Sequence, residues 1–362
     1  MSVSGSTRQN DLDVAFTISL QPGSAADTAL NGGTGGVGKM TSGNGGINNR
    51  QAFITFGDKS WGSVKIGKDL GIFASDAILS DMTLLGVGAG GGTTGSNTTF
   101  GRIGYGYIYA DWKPQISYTT PNMSGFQATV GISQAFNANS HVAGITVDGV
   151  TADANLVSTG TNSNVAYEGK ASYSFAANDV TGKVWVSGIA QHVNLKGNVS
   201  ADFAGVSALV DLGNVTSNDP MAYAGDIGAN VNFAGIGLTG YYYAGSGIGS
   251  TGQFMNGYGF NTTSLKAEAR DSDGGYVQAT YVLPTKTKVG VSWGISNLDT
   301  AGYTGSYANS VLKENEMWTV GAYHPLTKHL NLVAEFSHQR SENQASASNS
   351  ANAGSLGAIL FF

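Results

Sequence analysis

The sequence predicts an all-β protein, a wide antiparallel barrel that crosses a membrane. Three observations carry that prediction. Apolar residues recur with period two rather than 3.6, so strands and not helices are written into the chain. Short turns alternate with long polar loops. Charged residues make up only 12% of the 362, against roughly 25% in ordinary soluble domains. A soluble sheet of this size would normally carry Lys and Glu on its outer face. Here the polar face of each strand is mainly Gly, Ser, Thr, Asn and Gln.

The alternation is clearest in four stretches. In "AYAGDIGANVNF", Tyr223, Gly225, Ile227, Ala229, Val231 and Phe233 share a face, with Asp226, Gly228, Asn230 and Asn232 opposite. In "TKVGVSWGIS", Val289, Val291, Trp293 and Ile295 alternate with Lys288, Gly290, Ser292 and Gly294. "LNLVAEFSHQR" opposes Leu330, Leu332, Ala334 and Phe336 to Asn331, Glu335 and Ser337. "VAYEGKASYSF" opposes Tyr167, Ala171, Tyr173 and Phe175 to Glu168, Lys170, Ser172 and Ser174. We count 14 such strands, from Val14–Leu20 to Leu356–Phe362. A bilayer cannot hydrogen-bond an open edge, so the sheet is expected to close, apolar face to lipid and polar face to a wet interior.

The connections set the polarity. "GDKSWG", "PNMSG", "FAG" and "LPTK" are short turns. Residues 21–48, 69–113, 136–164, 194–221, 246–274, 298–315 and 341–354 read as long loops rich in Gly, Asn, Ser and Thr. That is the pattern of an outer-membrane barrel with short periplasmic turns and long outer loops. The whole chain, 1–362, reads as one such domain. The final "SLGAILFF" would place Leu356, Ala358, Leu360 and Phe362 on the lipid face of the closing strand, with Phe362 at the periplasmic girdle.

Composition excludes several classes. With no cysteine there is no disulfide framework or thiolate metal site. A net charge of −6 offers no basic footprint for nucleic acid. "MSVSGSTRQN" lacks the basic start and apolar run of a signal peptide, so an exported protein would be represented here in its mature or recombinant form. "GVSWG" matches G-x-S-x-G, but Ser292 lies inside an alternating strand rather than on a strand-to-helix elbow. His324 and His329 flank a turn with no further metal ligands nearby in sequence. The Gly-rich "NGGTGGVGK" lacks the strand–loop–helix setting of a phosphate cradle.

One stretch carries a family likeness. "NRQAFITFGDKSWGSVKIGKDLG" resembles the trimeric general porins of Gram-negative outer membranes, particularly their neisserial and burkholderial branch. The shared features are Arg50-Gln51 opening a strand, Phe53, the Gly-rich turn, Lys65, and Gly67-Lys68. A C-terminal Phe is a further family feature, and the resemblance implies that Phe362 is the signal read by the barrel-assembly machinery. It also implies 16 strands, a homotrimer in lipid and lipopolysaccharide, and no cofactor. In that scheme Val14–Leu20 falls third, and "MSVSGSTRQND" is a remnant of an earlier strand. The implied function is a water-filled channel through which small hydrophilic solutes and ions diffuse passively, without catalysis. A solute-selective channel of the same fold, lined by Tyr241, Tyr243 and Tyr276, stays open. An outer-membrane barrel enzyme and a secreted β-rich adhesin stand further off.

By the same resemblance, residues 69–113 fold into the barrel and narrow it. "SDAILSDMTLL" reads as a short helix with Ser75 at its N-cap and Ile78, Leu79, Met82 and Leu85 as an apolar stripe seeking the inner wall. Asp69, Asp76 and Asp81 would then face the lumen. Lys65, on the inward face of its strand, and Lys68, Arg50 and Arg102 would stand at the same mouth. Acids on the loop opposite bases on the wall would set a transverse field. Glu168, Lys170, Asp226, Lys288 and Glu335 are further inward positions, and their mixed sign leaves ion preference open.

Overall fold

The computed structural model describes residues 1–22, 47–89, 100–136, 139–147, 150–157, 165–193, 196–203, 206–211, 221–261, 266–300 and 312–361. Phe362 and most of the loop 21–48 lie outside the described residues, so the expectations placed on them are not addressed by it.

Period-two sequence becomes antiparallel ladder almost throughout. The strands are β1 (Ser2–Gln9), β2 (Leu12–Pro22), β3 (Ile47–Asp58), β4 (Gly62–Leu70), β5 (Trp112–Thr119), β6 (Phe126–Gln134), β7 (Asn139–Val147), β8 (Val150–Val157), β9 (Val165–Ala177), β10 (Val180–His192) and β11 (Lys196–Phe203). They continue as β12 (Val206–Asp211), β13 (Met221–Phe233), β14 (Ile236–Ser246), β15 (Tyr258–Asn261), β16 (Lys266–Ala269), β17 (Asp271–Val282), β18 (Lys288–Leu298), β19 (Leu312–Pro325), β20 (Leu330–Asn343) and β21 (Ser348–Leu360). Fifteen of them form one sheet in the order β1-β2-β3-β4-β5-β6-β9-β10-β13-β14-β17-β18-β19-β20-β21.

Two-residue turns fix the short ends. Asn10 and Asp11 (φ 48° and 61°) join β1 to β2, and Ala234 and Gly235 (φ 49° and 80°) join β13 to β14. Both pairs have the positive φ values that match hairpin twist. Register then follows without slip along most ladders, for example Ile227↔Tyr242 and Val291↔Val320.

The faces are inverted relative to a soluble protein. Ile54, Ile66, Val130, Ile227, Val291 and Phe336 are exposed on the outer face. Ser117, Ser133, Gln278, Ser292, Thr319 and Ser337 are buried on the inner one. Only an apolar solvent makes that arrangement favourable, and hydrocarbon is one.

Three expectations change. The remnant at the N-terminus is a full strand, β1, paired with β2 from Ser2↔Ser19 to Gln9↔Leu12. Its outward residues Val3, Gly5 and Thr7 are too weakly apolar to show a period. Among the described residues the main sheet has fifteen strands, β1 standing beside those read from the pattern. The segment 341–354 is not a long loop. β20 and β21 run through it, and the turn is confined to 344–347. Its Ser-Asn-Ala sequence hides the strand, because the backbone rather than the side chains makes the ladder. Finally, the loops 136–164 and 194–221 carry hairpins of their own, joined as a separate four-stranded sheet in the order β12-β11-β8-β7.

Candidate functional site

The segment between β4 and β5 is drawn into the barrel. Gly71 N–H donates to the Asp111 carbonyl (2.7 Å) and pinches its neck. Beyond the neck lie helix α1 (Ser75–Ser80) and a 3₁₀ turn, Met82–Leu85. The N-cap is Ala74, in the left-handed region, and not Ser75. Ser75 is the first helical residue, and its hydroxyl donates back to the Ile72 carbonyl (2.8 Å). The expected apolar stripe is also broken. Met82 is buried and Ile78 packs against the core, but Leu79 and Leu85 are exposed. A six-residue helix that tightens into a 3₁₀ turn changes its period, so these four positions cannot share a face. Phe73, Ala74 and Ala77 supply the buried face instead.

Polar contacts fasten the segment around the wall. Glu168 of β9 accepts from the Ile72 and Phe73 N–H groups (both 2.9 Å), from Lys113 Nζ (2.6 Å) and from the Ser133 hydroxyl (2.6 Å). On β17, Gln278 accepts from Met82 N–H (2.7 Å), and the Tyr276 hydroxyl donates to the Ala77 carbonyl (2.8 Å). Arg102 donates to the Met317 carbonyl (2.9 Å) and to Ser292. Gly106 N–H donates to Ser296 (2.9 Å). Glu335 of β20 accepts from Val87 and Gly88 N–H (2.6 and 2.7 Å) and from the Tyr323 hydroxyl. Gly86 permits this approach, since a Cβ there would stand 1.9 Å from Glu335 Oε1.

The acids expected at the constriction are all engaged. Asp69 pairs with Lys65 and accepts from Gln51 (2.9 Å). Asp76 pairs with Lys170 (3.1 Å) and with Lys183. Burial works to raise the Asp76 pKa, but these two ammonium groups outweigh it and hold the carboxyl below its ordinary value. Asp81 caps the 3₁₀ turn through Thr83 N–H (2.9 Å) and the Thr83 hydroxyl (2.7 Å), and accepts from the Tyr107 hydroxyl (3.0 Å). Asp226 accepts from Ser187 (2.7 Å) and Tyr241 (3.0 Å).

Register places Lys65, Glu168, Lys170, Asp226, Lys288 and Glu335 on inward positions of their strands. Arg50 and Lys68 are not among them. Lys68 has the parity of Val64 and Ile66, opposite Ala52 and Pro114. Arg50 stacks on Trp112 (5.9 Å) on that same outer face, at the register shift between Ser19 and Leu20. Arg102 is inside but wholly buried, so it meets protein rather than water. Tyr241, Tyr243 and Tyr276 are buried beneath the docked segment and do not line open water.

A second inward segment had no signature in the sequence. Within 246–258, Ile248, Ser250, Gln253 and Phe254 are buried. Thr251 accepts from Tyr109 N–H (2.9 Å), and Gln253 from Lys113 (2.6 Å). The first segment therefore rests on the second. Among the described residues no group of His, Asp and Glu could hold a metal ion. Ser292 is held by Arg102 in mid-strand, and His324 by the Thr287 hydroxyl (2.9 Å).

A sheet with its apolar face outward, a polar interior, and one of its own loops docked across that interior defines a transmembrane diffusion channel. The chain belongs to the Gram-negative porin family, whose model matches residues 2–344. It acts in the outer membrane, as a channel for passive diffusion of solutes. Its structure is similar to that of the outer membrane channel DcaP of Acinetobacter baumannii, at 14% identity and a TM-score of 0.63, covering 99% of this chain and 84% of that one. It is also similar to Salmonella typhi OmpF in complex with daunomycin (12%, TM-score 0.53, 99% and 89%). An anion-selective porin from Comamonas acidovorans matches at 14% identity and a TM-score of 0.50, over 99% and 85% of the two chains. No curated protein matches in sequence.

Proposed function

We propose that residues 71–111 are the constriction of this channel, and that small hydrophilic solutes and ions pass between them and the wall formed by β1 to β4. The observation that carries the reading is the anchoring of this segment to β9, β10 and β17 to β20, by Glu168, Ser187, Gln278, Ser292, Met317 and Glu335. On the other side, β1 and β2 offer the small inward hydroxyls Ser4 and Thr17 (3.1 Å apart). Below them lies a polar recess of about 630 Å³ lined by Arg8, Asp13, Asp58 and Gln127. A wide polar recess of this kind favours diffusion over capture.

The channel works without catalysis. Ser292, the one serine in a nucleophile-like motif, is committed to Arg102. The working form is a homotrimer, as membership of the family implies, held in lipid and lipopolysaccharide. Phe362 serves its assembly. Deleting Leu79 to Gly88 should raise single-channel conductance in planar bilayers while the protein still assembles. Unchanged conductance in an assembled variant would move the constriction elsewhere on the wall.

A further inference from the structure

Acids and bases both stand inside the barrel, yet the two signs are not equally placed. In each ion pair at the level of the docked segment that reaches the water path, the base is the more exposed partner. The Lys65 side chain is 32% exposed and Asp69 10%. Lys170 and Lys183 are 24% and 35% exposed, against 8% for the Asp76 they share. Asp81, Glu168, Asp226 and Glu335 are all buried. Their oxygens are taken by backbone N–H groups, hydroxyls and Lys113. The carboxylates are thus the fastenings of the docked segment. Lys288 is half-buried on the inward face of β18, over the Tyr323 ring (5.0 Å). Among the described residues it forms no ion pair, and Asp81 acts on it only at a distance. Arg102 and Lys113 are also inside but buried in protein.

Formal charge over these groups balances, but a permeating ion does not meet the average. It passes closer to ammonium groups at the water surface than to carboxylates behind them. Coulomb energy falls with distance, and electrolyte shortens the reach to about 8 Å at physiological ionic strength. The nearer sign therefore decides. At the periplasmic mouth Arg8 is paired with Asp13 and Asp58, so no such excess is set there. Selection belongs to the level of the docked segment.

We infer that this channel is selective for anions, and that Lys65, Lys170, Lys183 and Lys288 are the residues that make it so. The favoured solutes are small, hydrophilic and negatively charged, of the carboxylate or phosphate class. The inference rests on residues 71–111 being the constriction.

The test is the reversal potential of the whole chain in planar bilayers of phosphatidylcholine, which carry no net surface charge, under a KCl gradient. The wild-type chloride-to-potassium permeability ratio should exceed one. It should shrink toward one as salt rises, since the screening length contracts to about 3 Å at 1 M. Lys288→Gln leaves no carboxylate unpaired and should lower the ratio. Lys65→Gln combined with Lys288→Gln should lower it further, with Asp69 still held by Gln51. A wild-type ratio at or below one overturns the inference, and so does a ratio unmoved by both variants. The two readings fail separately. The loop deletion reports on the constriction through conductance, and the lysine variants report on selectivity through the sign and size of the potential.

Discussion

Asp76 shows how one side chain couples the channel's shape to its charge. Its carboxylate sits at the first turn of α1 and is shared by Lys170 and Lys183. Its pKa is depressed, so the folded value lies below the unfolded value of about 3.9. The pairing is therefore complete above about pH 4 and is lost as pH falls through the folded value. Open-channel current noise should stay flat from neutral pH down to about 4 and rise below it, as the start of the segment loosens. Asp76→Asn should show raised noise at every pH and lose the acid step, at a cost of about 1.5–3 kcal/mol in docking energy. It should also strengthen anion preference, because two ammonium groups lose their counter-charge. A variant as quiet as wild type would show that Asp76 does not hold the segment.

At the scale of the element, the docked segment is legible in the sequence only in outline. Its position and inward course follow from the family likeness, and its acids were named as lumen groups. Their work as fastenings is hidden, because the lysines that hold Asp76 lie 94 and 107 residues further along the chain. Phe73, the centre of its buried face, stands in the short run Ile72-Phe73-Ala74, which carries no period. Lys68 has the parity of Ile66 and Arg50 that of Ala52 and Ile54, so the alternation itself already turns both outward. The strands themselves were read well where apolar residues alternate, as in β13 and β18, and missed where they do not, as in β1 and the outer part of β21. Gly86 supplies a test at this scale. Its φ of −110° and ψ of −142° lie at the margin of the extended region, and a side chain there also lacks space. Gly86→Val should push Glu335 off the Val87 and Gly88 N–H groups and bring frequent brief conductance steps. A steady current would show that Glu335 can move aside without loss.

For the whole molecule, the decisive property is the exchange of inside and outside. Val291 lies mid-strand on the outer face, half exposed, while Ser292 beside it is buried within. Val291→Arg should cost about 2–4 kcal/mol if measured by folding into lipid vesicles, as expected near a bilayer midplane. A soluble protein would accept arginine at an exposed position with little effect. Stability unchanged by Val291→Arg, or wild-type protein that stays folded and monodisperse without detergent or lipid, would contradict the membrane reading.

The bonds between Glu335 and the segment reach across 247 residues of sequence. Those of Arg102 to Met317 reach across 215. Contacts this distant along the chain form late, because the intervening loop entropy must be met first. The first strands can therefore pair while the plug still has nothing to hold it. Only when β18, β19 and β20 arrive does the far half of the segment find its acceptors. Narrowing of the aperture is thus the closing act of assembly, and a chain stalled before its final strands would be a wider hole than the finished one.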